Sequence, residues 1–175
     1  MVISLFRSQT KFEQIFHRHR DDLWRFAYYL GSSRHEAEEL LQQTWLRAWE
    51  KFHTLKKLQK ARSWLFTILY REFLSSRRRS DPEEPQDEMG ELPDRKPENP
   101  GLQIDLEKAM RELPENFRTP LLMQIAGGFS INEIAEILEI PRGTVLSRIA
   151  RARKRLINAH PQVTWQVYSN DQKML

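Results

Sequence analysis

"EIPRGTVLSRIARARKRL", residues 139–156, decides the fold. It holds six Arg or Lys and no acid after Glu139, whereas residues 102–140 hold seven acids and three bases. On a helix, Val145, Ile149, Ala152 and Leu156 recur at steps of four, three and four and make one narrow apolar stripe. The polar residues fall elsewhere. Thr144, Arg148, Arg151 and Arg155 gather on one flank, and Ser147 and Lys154 lie opposite the stripe. A helix with one buried edge and a broad basic face offers its charge to a polyanion. A solvated helix of an ordinary bundle is the bland alternative, but such helices mix both signs, as the rest of this chain does.

The preceding segment fits that reading. "SINEIAEIL" (130–138) opens on Ser130 with Glu133 three residues later, the pattern of a capping box. Ile131, Ile134, Ala135 and Leu138 supply a matching apolar stripe, and "EIP" is a short turn. Two helices so joined have the spacing of a helix-turn-helix, whose second helix enters the DNA major groove while the first crosses the backbone. Candidate duplex contacts are Arg142, Thr144, Leu146, Ser147, Arg148, Arg151 and Arg155. Leu146 sits beside the core stripe, where it either packs on the neighbouring helix or touches a thymine methyl group.

Outward from there, Pro114, Gly127–Gly128 and Pro141 divide the C-terminal part into four expected helices, at about 103–112, 115–126, 130–138 and 142–158. "SDPEEPQDEMGELPDRKPENPG" (80–101) has five Pro, two Gly and eight acids, and sustains neither helix nor strand. The expected fold is therefore all-α: two small helical domains, 1–79 and 102–158, joined by a flexible acidic linker at 80–101 and followed by a tail at 159–175. In the first domain one helix runs from about Lys11 to Leu30 and stops at Gly31. A second follows the capping serine of "SSRHEAEE" and reaches about Phe52. "HTLKKLQK" is a polar break, and a third helix spans about Ala61 to Arg78. The tail, with its alternating "VTWQVY", is either a disordered end or a small docking element.

The net charge of +4 is strongly partitioned. Residues 1–80 carry sixteen bases against eight acids, 81–101 two against eight, and 102–158 nine against seven. Two basic segments around an acidic one suit two contacts with a polyanion joined by a spacer; a merely solubilising linker is the other reading.

Other classes are disfavoured. There is no Cys, so no disulfide framework and no Cys-based zinc site. His17 and His19 are two apart and face different sides of a helix, so they do not share a metal. No Gly-rich phosphate loop or nucleophile motif marks an enzyme, and no cofactor is expected. The N-terminus lacks an apolar leader, and the longest apolar run, "WLFTILY" (64–70), is far short of the roughly 20 residues of a membrane span. A cytoplasmic protein, not itself inserted in a membrane, is expected.

Two N-terminal surfaces stand out. Along 36–52, Leu41, Trp45, Ala48 and Phe52 share the core side, while Glu39, Gln43, Leu46 and Glu50 lie opposite. A leucine ringed by acids and amides suits a basic, partly apolar protein partner or is a lone surface Leu; spacing alone leaves both open. The next stretch places Lys56, Lys57, Lys60 and Arg62 in and after a loop. Trp64, Phe66, Tyr70 and Phe73 follow, then Arg77, Arg78 and Arg79. Bases interleaved with aromatics suit melted DNA, the cations tracking phosphates and the rings receiving unstacked bases. The bland reading is that Trp64, Ile68 and their neighbours are simply core; Trp64 is assigned to the core and the loop lysines to DNA.

"MRELPENFRTPLL" followed by "GGFSINEIAEILEIPRGTVLSRIARARKRL" closely resembles region 4 of the extracytoplasmic-function (ECF) sigma factors of bacterial RNA polymerase. The resemblance is carried by Leu113, Pro114, Arg118, Glu133, Ile134, Ala135, Pro141, Gly143, Thr144, Val145, Ser147, Arg148, Arg151, Ala152, Arg153 and Leu156. It implies reading of the minus-35 promoter element as duplex. The position after Val145 is commonly basic in the family and is Leu146 here. "EAEELLQQTWLRAWEKF" (36–52) resembles region 2.2 and implies docking on the clamp helices of the polymerase β′ subunit, with contact to β as well, through Glu36, Glu39, Gln43, Leu46, Arg47 and Glu50. "FHTLKKLQKARSWLFTILYREFLSSRRR" (52–79) is similar to regions 2.3 and 2.4 and implies minus-10 contacts by Lys56, Lys57, Lys60, Arg62, Arg71 and Arg78. Here Tyr70-Arg71 and Ser75 stand where the family often has Arg-Asn and then Asp. The family further implies an anti-sigma factor as partner, often membrane-bound, and an acidic linker threading the polymerase. The competing reading is a stand-alone helix-turn-helix regulator, which would bind a duplex site by itself, as a dimer over two half-sites.

Overall fold

A computed structural model describes residues 2–31, 33–79 and 109–160, with side chains from Gln9 onward. The acidic stretch 80–101 and the tail beyond His160 lie outside these residues. So does the start of the helix expected at about 103, of which residues 109–112 are described as helical. The chain divides into two compact units, Met1–Glu91 and Leu92–Leu175. Among the described residues every regular element is helical.

The N-terminal unit is a bundle of α1 (Val2–Leu30), α2 (Arg34–Glu50) and α3 (Ala61–Arg77), each packed on the other two. α1 begins nine residues earlier than the expected Lys11. Residues 2–10 contain no Gly or Pro, so nothing there ends a helix once α1 has formed. Ser33 caps α2 by accepting a hydrogen bond from the Glu36 N–H at 3.1 Å. The polar break between α2 and α3 forms two short 3-10 turns, Phe52–Thr54 and Leu58–Lys60, neither contributing a buried residue.

Phe12 on α1 is fully buried and organises one end of this bundle. Its ring centroid lies 5.5 Å from Trp45, 5.3 Å from Trp49, 5.3 Å from Phe52 and 5.9 Å from Phe16. Trp45, Trp49 and Phe52 are only half-buried, so the expected α2 core side is partly a rim. Its interior is Ala37, Leu40, Leu41, Thr44 and Ala48, with the Thr44 hydroxyl donating to the Leu40 carbonyl at 2.7 Å. On α3, Leu65, Phe66, Ile68, Leu69 and Phe73 are buried.

A polar seam joins α1 to the start of α3. Asp22 accepts from Arg25 at 2.9 Å and from Arg62 at 3.4 Å, and the Arg62 guanidinium sits 5.5 Å over the Phe66 ring. Burial, then the nearby Arg62 charge, holds the His19 imidazole below its ordinary value of 6.5; Asp22 opposes this and Arg18 adds to it.

In the C-terminal unit α4 (Glu115–Ile125), α5 (Ile131–Leu138) and α6 (Arg142–Ala159) pack together around Met123, Phe129, Ile134, Ile137, Val145, Ile149, Ala152 and Leu156. The reversal between α4 and α5 needs both its glycines. A Cβ on Gly127 would come within 2.5 Å of the Met123 carbonyl and 2.7 Å of the Phe129 ring, and Gly128 has φ +61°.

Two measurements check this packing. Phe12→Ala removes the ring that four aromatic neighbours share and is expected to cost about 3–5 kcal/mol. Denaturant unfolding followed by tryptophan fluorescence reads it, because Trp24, Trp45, Trp49 and Trp64 all belong to this unit. For His19, the unfolded imidazole binds its proton more readily than the folded one. Stability is therefore complete above about pH 6.5 and falls as pH drops toward the lowered native value. A His19→Gln chain should show a smaller loss of thermal stability over the same pH interval.

Candidate nucleic-acid interface

The helix-turn-helix is built by α5 and α6. Ser130 and Glu133 close the capping box: the Glu133 N–H donates to the Ser130 hydroxyl at 3.3 Å, and the Ser130 N–H to the Glu133 carboxylate at 2.9 Å. α5 ends on Glu139, which takes a left-handed conformation with φ 56° and ψ 41°. The N–H groups of Glu139 and Ile140 both donate to the Ala135 carbonyl, so the turn closes within two residues of the helix end. A non-glycine here costs on the order of 1 kcal/mol. Spacing predicts the turn but not which residue carries that strain. The expected α5 stripe is shifted: Ile134 is buried, but Ile131, Ala135 and Leu138 are half-buried, and Ile137, which the stripe omits, is in the core. An eight-residue helix wedged between two neighbours buries more than one edge.

α6 buries Val145, Ile149, Ala152 and Leu156, the four residues of the sequence stripe. Their burial turns the remaining side chains outward. Arg142, Leu146, Ser147, Arg151 and Arg155 are exposed, and Thr144 and Arg148 half-buried. Leu146 is 48% exposed and is not part of the core. No side chain caps the first turn of α6, which follows Pro141 directly. Two bases are engaged within the domain: Arg155 lies 4.6 Å over the Phe117 ring of α4, and Arg153 donates to Gln124 at 3.0 Å. Arg155 thus sits at the edge of the basic face with its orientation fixed by an aromatic ring.

In the N-terminal unit, Lys56, Lys57 and Lys60 are exposed on and between the 3-10 turns, together with Leu58 at 48%, which the sequence reading did not single out. Arg71 and Arg78 are exposed along α3 and just beyond it, and the Arg78 guanidinium donates to the Leu74 carbonyl. Arg62 differs from the lysines, being held by Asp22 and Phe66. Of the aromatics considered for stacking on bases, Phe66 and Phe73 are buried in the core; Trp64, assigned to the core, is half-buried, as is Tyr70.

The outer face of α2 is a separate surface. Glu36, Glu39, Gln43, Arg47 and Glu50 are exposed there, and Leu46 among them is 45% exposed. Arg47 is tied down: it meets Glu50 at 3.0 Å and crosses to Glu72 of α3 at 3.2 Å. The Glu72 hydrogen bond and charge, with help from Glu50, raise the Arg47 pKa above its ordinary value. Arg47 therefore links the two helices that carry the two N-terminal surfaces. Among the described residues no group of His, Asp and Glu is placed to hold a metal, and no helix is long and apolar enough to cross a membrane.

Comparison with known proteins follows the same division. Residues 15–83 match the sigma-70 region 2 family and residues 103–156 the sigma-70 region 4 family. Curated relatives include the ECF RNA polymerase sigma factor SigM of Bacillus subtilis (strain 168), 28% identical over 150 residues that cover 82% of this chain and 91% of the relative. Another is the ECF RNA polymerase sigma factor EcfG of Rhodopseudomonas palustris (strain TIE-1), 33% identical over 136 residues, 75% of each chain. Among solved structures, the sigma factor RpoE bound to the anti-sigma factor NepR from Bartonella quintana aligns with a TM-score of 0.75 at 31% identity, covering 85% of this chain and 95% of that one. CnrH in complex with the cytosolic domain of CnrY aligns with a TM-score of 0.65 at 22% identity, covering 89% and 91%, a likeness of fold. Two sigma-70 regions in order along the chain, and a relative one-third identical across three-quarters of both proteins, identify it: the chain belongs to the ECF sigma factors of bacterial RNA polymerase, alternative sigma factors that direct promoter-specific transcription.

Proposed function

We propose that the three exposed surfaces divide the work of initiation among them. α6 reads the minus-35 element as duplex through Arg142, Thr144, Leu146, Ser147, Arg148, Arg151 and Arg155. The outer face of α2, centred on Leu46 with Glu36, Glu39, Gln43, Arg47 and Glu50 around it, docks on core RNA polymerase at the β′ clamp helices. Lys56, Lys57 and Lys60, with Arg62, Arg71 and Arg78, follow the melted minus-10 strand. The observation that carries this reading is the sidedness of α6: four apolar residues inward, and bases without an acid outward. Such a face gains affinity by releasing counterions from DNA and gains register from phosphate contacts.

The minus-10 surface works differently. Its lysines are exposed point charges, suited to tracking a backbone without reading it. Arg62 is held to Asp22 by one guanidinium nitrogen at 3.4 Å, so a phosphate would share it with, or take it from, that carboxylate. With Phe66 and Phe73 in the core, Trp64 and Tyr70 are the rings open to an unstacked base. The chemistry of initiation belongs to the polymerase, and this chain supplies binding and position. It acts in the cytoplasm. An anti-sigma factor, the kind of partner bound to the Bartonella quintana relative, restrains it, and membrane attachment would arise through such a partner.

Run-off transcription with purified core polymerase tests the division. Arg148→Ala or Arg151→Ala should lower use of a minus-35-dependent promoter about tenfold or more, with core binding unchanged. Equal loss of both activities would refute the separate roles. Leu46→Asp should weaken capture of core enzyme in a pull-down; unchanged capture would remove that face from the proposal. If wild-type chain and core polymerase start at no defined site, the whole reading falls.

A further inference from the structure

The outward face of α6 is basic at its flanks and nearly uncharged along the middle of its first half. Leu146 stands there, exposed, one turn from Gly143 on one side and Ala150 on the other, both also exposed. Gly143 is not required by the fold. Its φ is not positive, and a Cβ built on it meets no atom within 4 Å. Gly143 lies in the first turn of α6, and neither its backbone conformation nor its packing calls for a glycine there. The contrast with Gly127, where a Cβ would collide with Met123 and Phe129, is direct. Gly127 serves the packing of this domain; the space above Gly143 is available to something outside it.

We propose that Leu146 reads the 5-methyl group of a thymine in the minus-35 duplex, and that Gly143 sets how deeply α6 enters the major groove. The inference rests on α6 being the duplex-reading helix, and it names a specificity-determining contact within that face. The thymine methyl is the one apolar feature on the major-groove edge of the base pairs, and an aliphatic side chain is the natural partner for it. Leu146 has the required exposure, and its neighbours at three before and four after are a glycine and an alanine, so neither stands above the leucine methyls on the side a duplex edge would approach. The flanking Arg142, Arg148 and Arg151 then meet phosphates or base acceptors on either side.

The test replaces each thymine of a minus-35 element that this chain uses with deoxyuridine, which lacks only the methyl group. Promoter use is then measured with core polymerase and the full chain. At one position the wild-type chain should lose about fourfold, the fold-change of withdrawing one buried methyl group. Leu146→Ala should be weaker on the thymine promoter and indifferent to deoxyuridine at that same position. If no thymine is sensitive, or if Leu146→Ala remains as sensitive as wild type, the methyl contact is refuted. Gly143→Ala should lower minus-35 use while leaving thermal stability equal or higher; unchanged promoter use would refute the close approach. Failure of the underlying reading looks different, because then Arg148→Ala and Arg151→Ala also leave minus-35 use unchanged.

Discussion

Burial of Val145, Ile149, Ala152 and Leu156 against α4 and α5 is the constraint on which the C-terminal unit depends. Four small or branched side chains on one edge fix the rotation of α6 about its own axis. Once that rotation is set, so is the face of the helix from which each arginine leaves. The basic face is thus a consequence of the hydrophobic stripe, and it needs no ion pair to hold it. Hydrophobic burial is not screened by the salt that screens exposed charge, so the scaffold holds under conditions where contacts made by its charges weaken. The left-handed Glu139 and the capping box at Ser130 serve the same end, since they hold the angle at which α5 hands the chain to α6.

The N-terminal unit solves a different problem. It carries two surfaces of opposite character, acidic and amide-rich on α2, basic at the 3-10 turns and along α3. Keeping them apart requires a stiff bundle between, and the aromatic cluster around Phe12 supplies it at one end. Arg47 then crosses from α2 to Glu72 on α3, and Arg62 from α3 to Asp22 on α1. Exposed ion pairs of this kind contribute little to stability. Their effect is orientation: each holds a guanidinium at a defined place on its helix.

Much of this was legible in the sequence because helical periodicity reports directly on burial. The α6 stripe transferred to the structure residue for residue, and Leu46 is exposed where its spacing places it. The failures share one cause. Periodicity describes a single helix against a single neighbour, and several elements here have more than one. α5 is short and enclosed, so Ile137 joins the core and Ile131 moves toward its margin. α3 is packed by both α1 and α2, so Phe66 and Phe73, which look like base-stacking rings in a basic segment, are interior. The tie of Arg62 to Asp22 spans forty positions, and Arg155 over Phe117 nearly as many; no local pattern contains such pairs. Leu146 is the reverse case: its position beside the stripe left two readings, and what the structure adds is that the side chain is 48% exposed.

A divided reader has a physical advantage that follows from these surfaces. In the proposed division each is small, and the basic ones are exposed and therefore sensitive to salt, so each alone would bind DNA weakly. Held on one polymerase, the second contact becomes intramolecular, and the effective concentration supplied by the tether replaces affinity that neither surface has by itself. Weak individual contacts also protect specificity. A face that bound any duplex tightly through its arginines would be titrated by the bulk of the chromosome, whereas a face that needs correct depth, a matching base edge and a second site at a fixed distance is not. An uncharged strip at the centre of α6, where another lysine or arginine would have raised general affinity, is what that requirement favours.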